Sequence, residues 1–181
     1  MTKNLKLGIM MFLQYAVWGA WMPVTSRFLT ASVMDGGLGF TDSQMAIILG
    51  FAASIGALSA PFIAGQVADR YFSTEKILAF LVISGGLVKW YTALQTDFNA
   101  WLYLSIFYSI LYMPTLALSN SIAFAHLEDS ENNFPKIRAW GTIGWIVATW
   151  TFPMIWLQTD LGFSFMPPFL IGSEVKGAVS R

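Results

Sequence analysis

AIILGFAASIGALSAPFIAG, residues 46 to 65, runs for 20 positions without a charge. At 1.5 Å per residue a helix of that length crosses a hydrocarbon core of about 30 Å. The run is continuous rather than alternating, so a tilted barrel strand of about ten residues does not describe it. Widening the window, Asp42 and Asp69 bracket 26 uncharged residues. A single run of this kind is also compatible with a buried helix of a soluble protein. Its recurrence along the chain decides the matter.

Lys6 and Arg27 bracket 20 uncharged residues, and Arg138 and Asp160 bracket 21. Asp97 and Glu128 bracket 30, and Lys76 and Asp97 bracket 20 that are broken by Lys89 alone. Five such segments within 181 residues predict an all-α, polytopic membrane helical bundle with five transmembrane helices. The predicted spans are 7–29, 43–68, 77–96, 98–125 and 137–158, within an N-terminal bundle over 1–160. Residues 161–181 contain Pro167 and Pro168 and are expected to be an irregular tail or the start of a sixth helix. The first span is too long for a signal-peptide core.

Composition agrees. Hydrophobic residues make up 56% and charged residues 11%, against about 25% charged in a soluble domain. Mean hydropathy is +0.59. Ten basic and ten acidic residues cancel, leaving no footprint for nucleic acid. Without cysteine and with His126 as the sole histidine, thiolate chemistry and multi-histidine zinc sites are excluded. Phosphate-binding glycine loops are absent, so an enzyme is not expected, nor is a cofactor. Lys3, Lys6, Arg70, Lys76, Lys136 and Arg138 fall on one side of the bundle, and Arg27 and Lys89 on the other. The bias predicts a cytoplasmic N-terminus.

Helical spacing picks out faces. Arg138, Thr142, Trp145 and Thr149 fall at i, i+4, i+7 and i+11, and Gln14, Trp18, Trp21 and Thr25 repeat that spacing. Indoles stack on flat rings; guanidinium, amide and hydroxyl groups reach ring heteroatoms and hydroxyls. The bland alternatives are interfacial anchoring for Trp21 and Trp156, and threonines bonded back to their own helix. Lys89 is expected to snorkel outward in preference to pairing with Asp97. A third stripe is Tyr108, Tyr112, Thr115 and Ser119, with Asn120 beside it as interhelical glue or, second, a ligand contact. Ala52, Gly56, Ala60, Ala64 and Ala68 form a small-residue ridge suited to close approach, in a complete transporter against a moving partner half. Ser73 is a candidate N-cap for the third helix, which the short connection makes a neighbour of the second.

Gly65-x-x-x-Asp69-Arg70, between the second and third spans, resembles the loop signature of the major facilitator superfamily. The usual continuation of glycine and basic residues is replaced by Tyr71, Phe72, Ser73 and Thr74. FPKIRAWGTIGWI (134 to 146), FLQYAVWGAW (12 to 21) and YMPTLALSNSIAF (112 to 124) together resemble the nucleoside:proton symporter family within that superfamily, over roughly residues 4 to 158. The resemblance implies the N-terminal half of a twelve-helix major facilitator transporter. It further implies proton-coupled nucleoside uptake by alternating access in a cell inner membrane, with nucleoside and protons as solutes. Arg138, Thr142 and Trp145 match substrate-contacting positions, the last an aromatic one in the family; Gln14 and Trp18 join them from the stripe on the first span. Gly65, Asp69 and Arg70 are expected in the conformational gate. None of the five segments holds an Asp or Glu, so the coupling carboxylates are expected in a C-terminal half that this chain lacks. Two other readings stand beside this one: a truncated, non-transporting membrane protein, and a major facilitator transporter for another small polar solute.

Overall fold

The computed structural model describes residues 2–67 and 73–158. All regular structure in the described residues is helical. Helix α1 is Lys3–Thr30, α3 is Thr74–Thr92, α4 is Phe98–His126 and α5 is Ser130–Gln158. Helix α2 covers 42–67 and is irregular. Its α-helical parts, Asp42–Ala46 and Ala52–Phe62, alternate with wider π-helical turns at Ile47–Phe51 and Ile63–Val67. The second π turn follows Pro61, whose ring removes one ladder donor and crowds the preceding turn.

By length and composition α1, α4 and the 24-residue stretch Asp42–Gly65 are able to cross a membrane. Among the described residues, α3, which carries Glu75, Lys76 and Lys89, does not meet that standard, and neither does α5.

Local chemistry sets the ends. Thr41 and Gln44 form a reciprocal capping box at the start of α2, with Gln44 N–H donating to Thr41 Oγ1 at 3.2 Å and Thr41 N–H to Gln44 Oε1 at 3.0 Å. Asp97 caps α4 by accepting from Ala100 N–H at 3.0 Å. Ser73 does occupy the N-cap of α3, but its side chain makes no capping hydrogen bond. The α1–α2 connection turns through Gly36 and Gly39, both at positive φ, and is pinned by Leu38 N–H to Phe28 O at 3.1 Å and Phe40 N–H to Leu29 O at 2.8 Å.

Helix α1 packs along α5, and α2 and α3 both pack on α4. The small-residue ridge of α2 is therefore used within this bundle: Ala52 and Gly56 are buried, and a Cβ on Gly56 would lie 2.5 Å from Ser109 O of α4. Helices α2 and α3 share one apolar cluster through α4, in which Ile77, Leu81 and Leu118 are joined by Ile63 and Ala64. Apolar clusters fill both ends of α1. Phe28, Leu29, Ile48 and Trp101 form one, and Leu7, Met11, Ile122, Ala123 and Ile137 the other. Between them lies a belt of aromatic and polar side chains.

Candidate functional site

The belt begins with a closed clasp between α1 and α4. Gln14 Nε2 donates to Thr115 Oγ1 at 2.6 Å, Thr115 Oγ1 donates to Tyr112 O at 2.5 Å, and the Tyr112 hydroxyl returns to Gln14 O at 2.7 Å. Gln14 and Thr115 are both buried. In a lipid-embedded bundle each of these groups would be costly if left unpaired, so the ring of bonds fixes the register of α1 on α4.

Trp18 lies one turn further along α1. Its ring meets Trp145 of α5 edge to face at 5.1 Å and 75°, and Tyr112 of α4 at 6.2 Å and 60°. Thus Trp18 and Trp145, placed on separate stripes by the sequence, are brought into contact. Arg138, two turns before Trp145, lays its guanidinium 4.1 Å from the centre of the Tyr15 ring. It has no carboxylate partner among the described residues, so its N–H donors remain available on a half-buried face.

Thr142 is exposed on α5 between these two. The hydroxyls of Thr92 and Thr151 donate to carbonyls four residues back, at 2.7 Å each. Thr142 has no such bond among the described residues and keeps its donor and acceptor free. Thr149, the last member of the stripe, donates to Gly19 O at 3.4 Å and belongs to the α1–α5 seam.

Other sequence expectations divide. Tyr108, Tyr112, Thr115 and Ser119 are all buried in the bundle. Asn120 Oδ1 is buried with no hydrogen-bond partner among the described residues, so no interhelical bond of this oxygen glues helices there. Trp21 is not an outward anchor: it meets Tyr108 edge to face at 5.7 Å and 83°. Lys89 neither snorkels outward nor pairs with Asp97. Its Nζ sits 3.6 Å from the centre of the Trp21 ring and 4.8 Å from that of Tyr108, because α1 and α4 converge on it from both sides. Gly65 is exposed, with open space where a Cβ would be. Asp69, Arg70, the side chain of Trp156 and the tail 161–181 lie outside the described residues.

The family profile described as Nucleoside H+ symporter matches residues 1–179. This chain belongs to the nucleoside H+ symporter family. It is 40% identical over 148 residues to the putative nucleoside transporter YegT of Escherichia coli K12, covering 82% of this chain and 33% of that protein. The xanthosine permease of the same strain is 33% identical over 164 residues, covering 87% of this chain and 37% of the permease. The fold superposes on the crystal structure of the nucleoside transporter NupG with a TM-score of 0.78 at 27% identity, covering 98% of this chain and 41% of that one. The chain thus spans about a third of the length of the curated relatives it matches. Membrane residence follows from the family and the apolar helices.

What sequence reasoning missed in this symporter-family chain is the glycine seam beneath the site. Gly141 leaves room for Tyr15 and Arg138, since a Cβ there would lie 2.7 Å from Tyr15 Cδ2 and 3.0 Å from a guanidinium nitrogen. Gly144 lies against the Phe12 carbonyl and Gly19 against that of Trp145. The signal was present as Gly141 and Gly144 on the same helix as the stripe, but the partner surface on α1 is not legible from spacing.

Proposed function

We propose that this chain forms one wall of a proton-coupled nucleoside transporter of a bacterial inner membrane, with its N-terminus in the cytoplasm. The observation that carries the reading is the α5 face bearing Arg138, Thr142 and Trp145, with free donors on the first two and an indole on the third. Trp145 stacks on the base; Arg138 and Thr142 hold ring heteroatoms and sugar hydroxyls. Trp18 backs Trp145. Gln14 supports the wall through its clasp with Thr115. The complementary C-terminal half closes the site from the other side and supplies the coupling carboxylates. Gly65, Asp69 and Arg70 act in the gate at the cytoplasmic face. No covalent step occurs: the solute shifts the populations of inward- and outward-open states by its differential affinity for them.

The test is binding of tritiated uridine and adenosine to the purified chain in detergent, alone and co-expressed with the C-terminal half of NupG. Saturable binding that weakens at least about tenfold in Arg138→Ala and in Thr142→Val supports the assignment. Binding that neither substitution alters removes the α5 face from the site. Absence of binding under both conditions overturns the nucleoside reading.

A further inference from the structure

Arg138 lies in the first half of α5 and has no carboxylate within ion-pairing distance among the described residues. A guanidinium so placed has two ways to settle. It can reach along its stem to the polar interface, or it can find a partner inside the bundle. Here the partner is a ring: the guanidinium carbon stands 4.1 Å from the centre of Tyr15 on α1. A ring differs from a carboxylate in what it leaves free. A carboxylate takes up two guanidinium donors in a fork and cancels the charge. A ring face attracts the cation and takes up none of its five N–H donors.

Two neighbours hold the pair together. Gly141, which is buried, opens a slot on α5. A Cβ there would lie 2.7 and 3.1 Å from Tyr15 Cδ2 and Cε2, and 3.0 Å from a guanidinium nitrogen of Arg138. Gln14, next to Tyr15 in the chain, is bonded to α4 through its side chain at 2.6 Å and its carbonyl at 2.7 Å. Successive residues of a helix point about 100° apart, so the clasp that turns Gln14 to α4 leaves Tyr15 on the α5 side. Below it, Tyr15 packs against the cluster of Leu7, Met11 and Ile137. The ring is therefore set from α1, in a place that does not depend on a solute.

We propose that Tyr15 is the positioning residue for Arg138. Its ring holds the charge on the binding face with the donors free, and Gly141 makes the slot in which ring and guanidinium meet. Tyr15 acts through Arg138 and not by touching the solute. The inference rests on the reading of the α5 face as a nucleoside wall, and adds to it the means by which a lone cation is kept there.

Titration with tritiated uridine of the 181-residue chain, purified together with the C-terminal half of NupG, tests the assignment. Tyr15→Phe keeps the ring face and should bind within about twofold of the unsubstituted chain, whereas Tyr15→Leu should bind about fivefold more weakly. Fluorinated phenylalanines placed at position 15 keep the shape of the ring and withdraw electron density from its face. Affinity should fall stepwise along that series, which a role in packing alone would not follow. In an Arg138→Ala background, Tyr15→Leu should cause no further loss. Thermal unfolding reports whether each variant folds; should Tyr15→Leu fail to fold, the fluorinated series decides. Affinity unchanged along the series, or a Tyr15→Leu loss that adds in full to that of Arg138→Ala, overturns the proposal and leaves the nucleoside reading standing. Absence of uridine binding by the unsubstituted chain overturns that reading, and the proposal with it.

Discussion

Gly19 lets the backbone of α1 rest against the carbonyl of Trp145, since a Cβ at that position would lie 2.8 Å from the oxygen. The same absent atom would meet Thr149 Oγ1 at 2.9 Å. The packing seam and the candidate binding face are therefore one structure, and moving α1 away from α5 also moves Trp18 off Trp145. Gly19→Ala is expected to destabilise the bundle by about 2 kcal/mol, because backbone on both sides has to give. Gly86→Ala, with nothing within 4 Å of the new carbon, is expected to be neutral or slightly stabilising through helix propensity. Thermal unfolding in detergent, followed by circular dichroism, separates the two; equal midpoints would show that the seam does not rest on Gly19.

The Gln14–Thr115 bond joins residues 101 positions apart in the chain. A double-mutant cycle of Gln14→Leu and Thr115→Val is expected to give a coupling energy of about 1 kcal/mol, within the range of interhelical bonds in membrane proteins. Additive unfolding energies would mean that the clasp holds no helices together.

Thr142 and Thr151 are both exposed threonines on α5, yet only Thr151 donates to its own helix, at 2.7 Å to Val147 O. Thr142→Val should weaken nucleoside binding about tenfold with the unfolding midpoint unchanged, whereas Thr151→Val should leave binding alone. Equal effects on binding would remove the distinction on which Thr142 was selected.

Trp18 and Trp145 meet at 5.1 Å, a geometry worth about 1 kcal/mol beyond burial. Trp145→Phe preserves an aromatic face and should retain binding within about threefold, while Trp145→Ala should lose at least about tenfold. Measured by titration of labelled uridine, identical affinities for the two variants would exclude stacking on this ring.

At the other end of α4, His126 Nε2 lies 4.0 Å from a Glu75 carboxylate oxygen, with side chains 43% and 55% exposed. Exposed pairs at this distance contribute little. Glu75→Gln should shift unfolding by less than about 0.5 kcal/mol, and a larger loss would point to a tighter contact in the assembled transporter.

Long uncharged segments were enough to specify helices, because a chain with so few charges has no other way to satisfy its backbone in lipid. The stripe of Arg138, Thr142 and Trp145 was equally legible, since 100° per residue places those positions on one face whatever lies opposite. Spacing was silent on what faces them. The ridge containing Gly56 was legible as a surface for close approach by another helix, and only the packing shows that Ser109 of α4 lies against it. Lys89 was expected to reach outward, as a lone charge near a helix end usually does. Only the convergence of Trp21 from α1 with Tyr108 and Trp101 from α4 turns it inward, at 3.6 Å from the nearest ring. Periodicity along one helix is a local property, carried by each segment alone. Which glycine meets which carbonyl, and which ring meets which cation, depends on the relative rotation and depth of two helices, and packing of the whole bundle decides those.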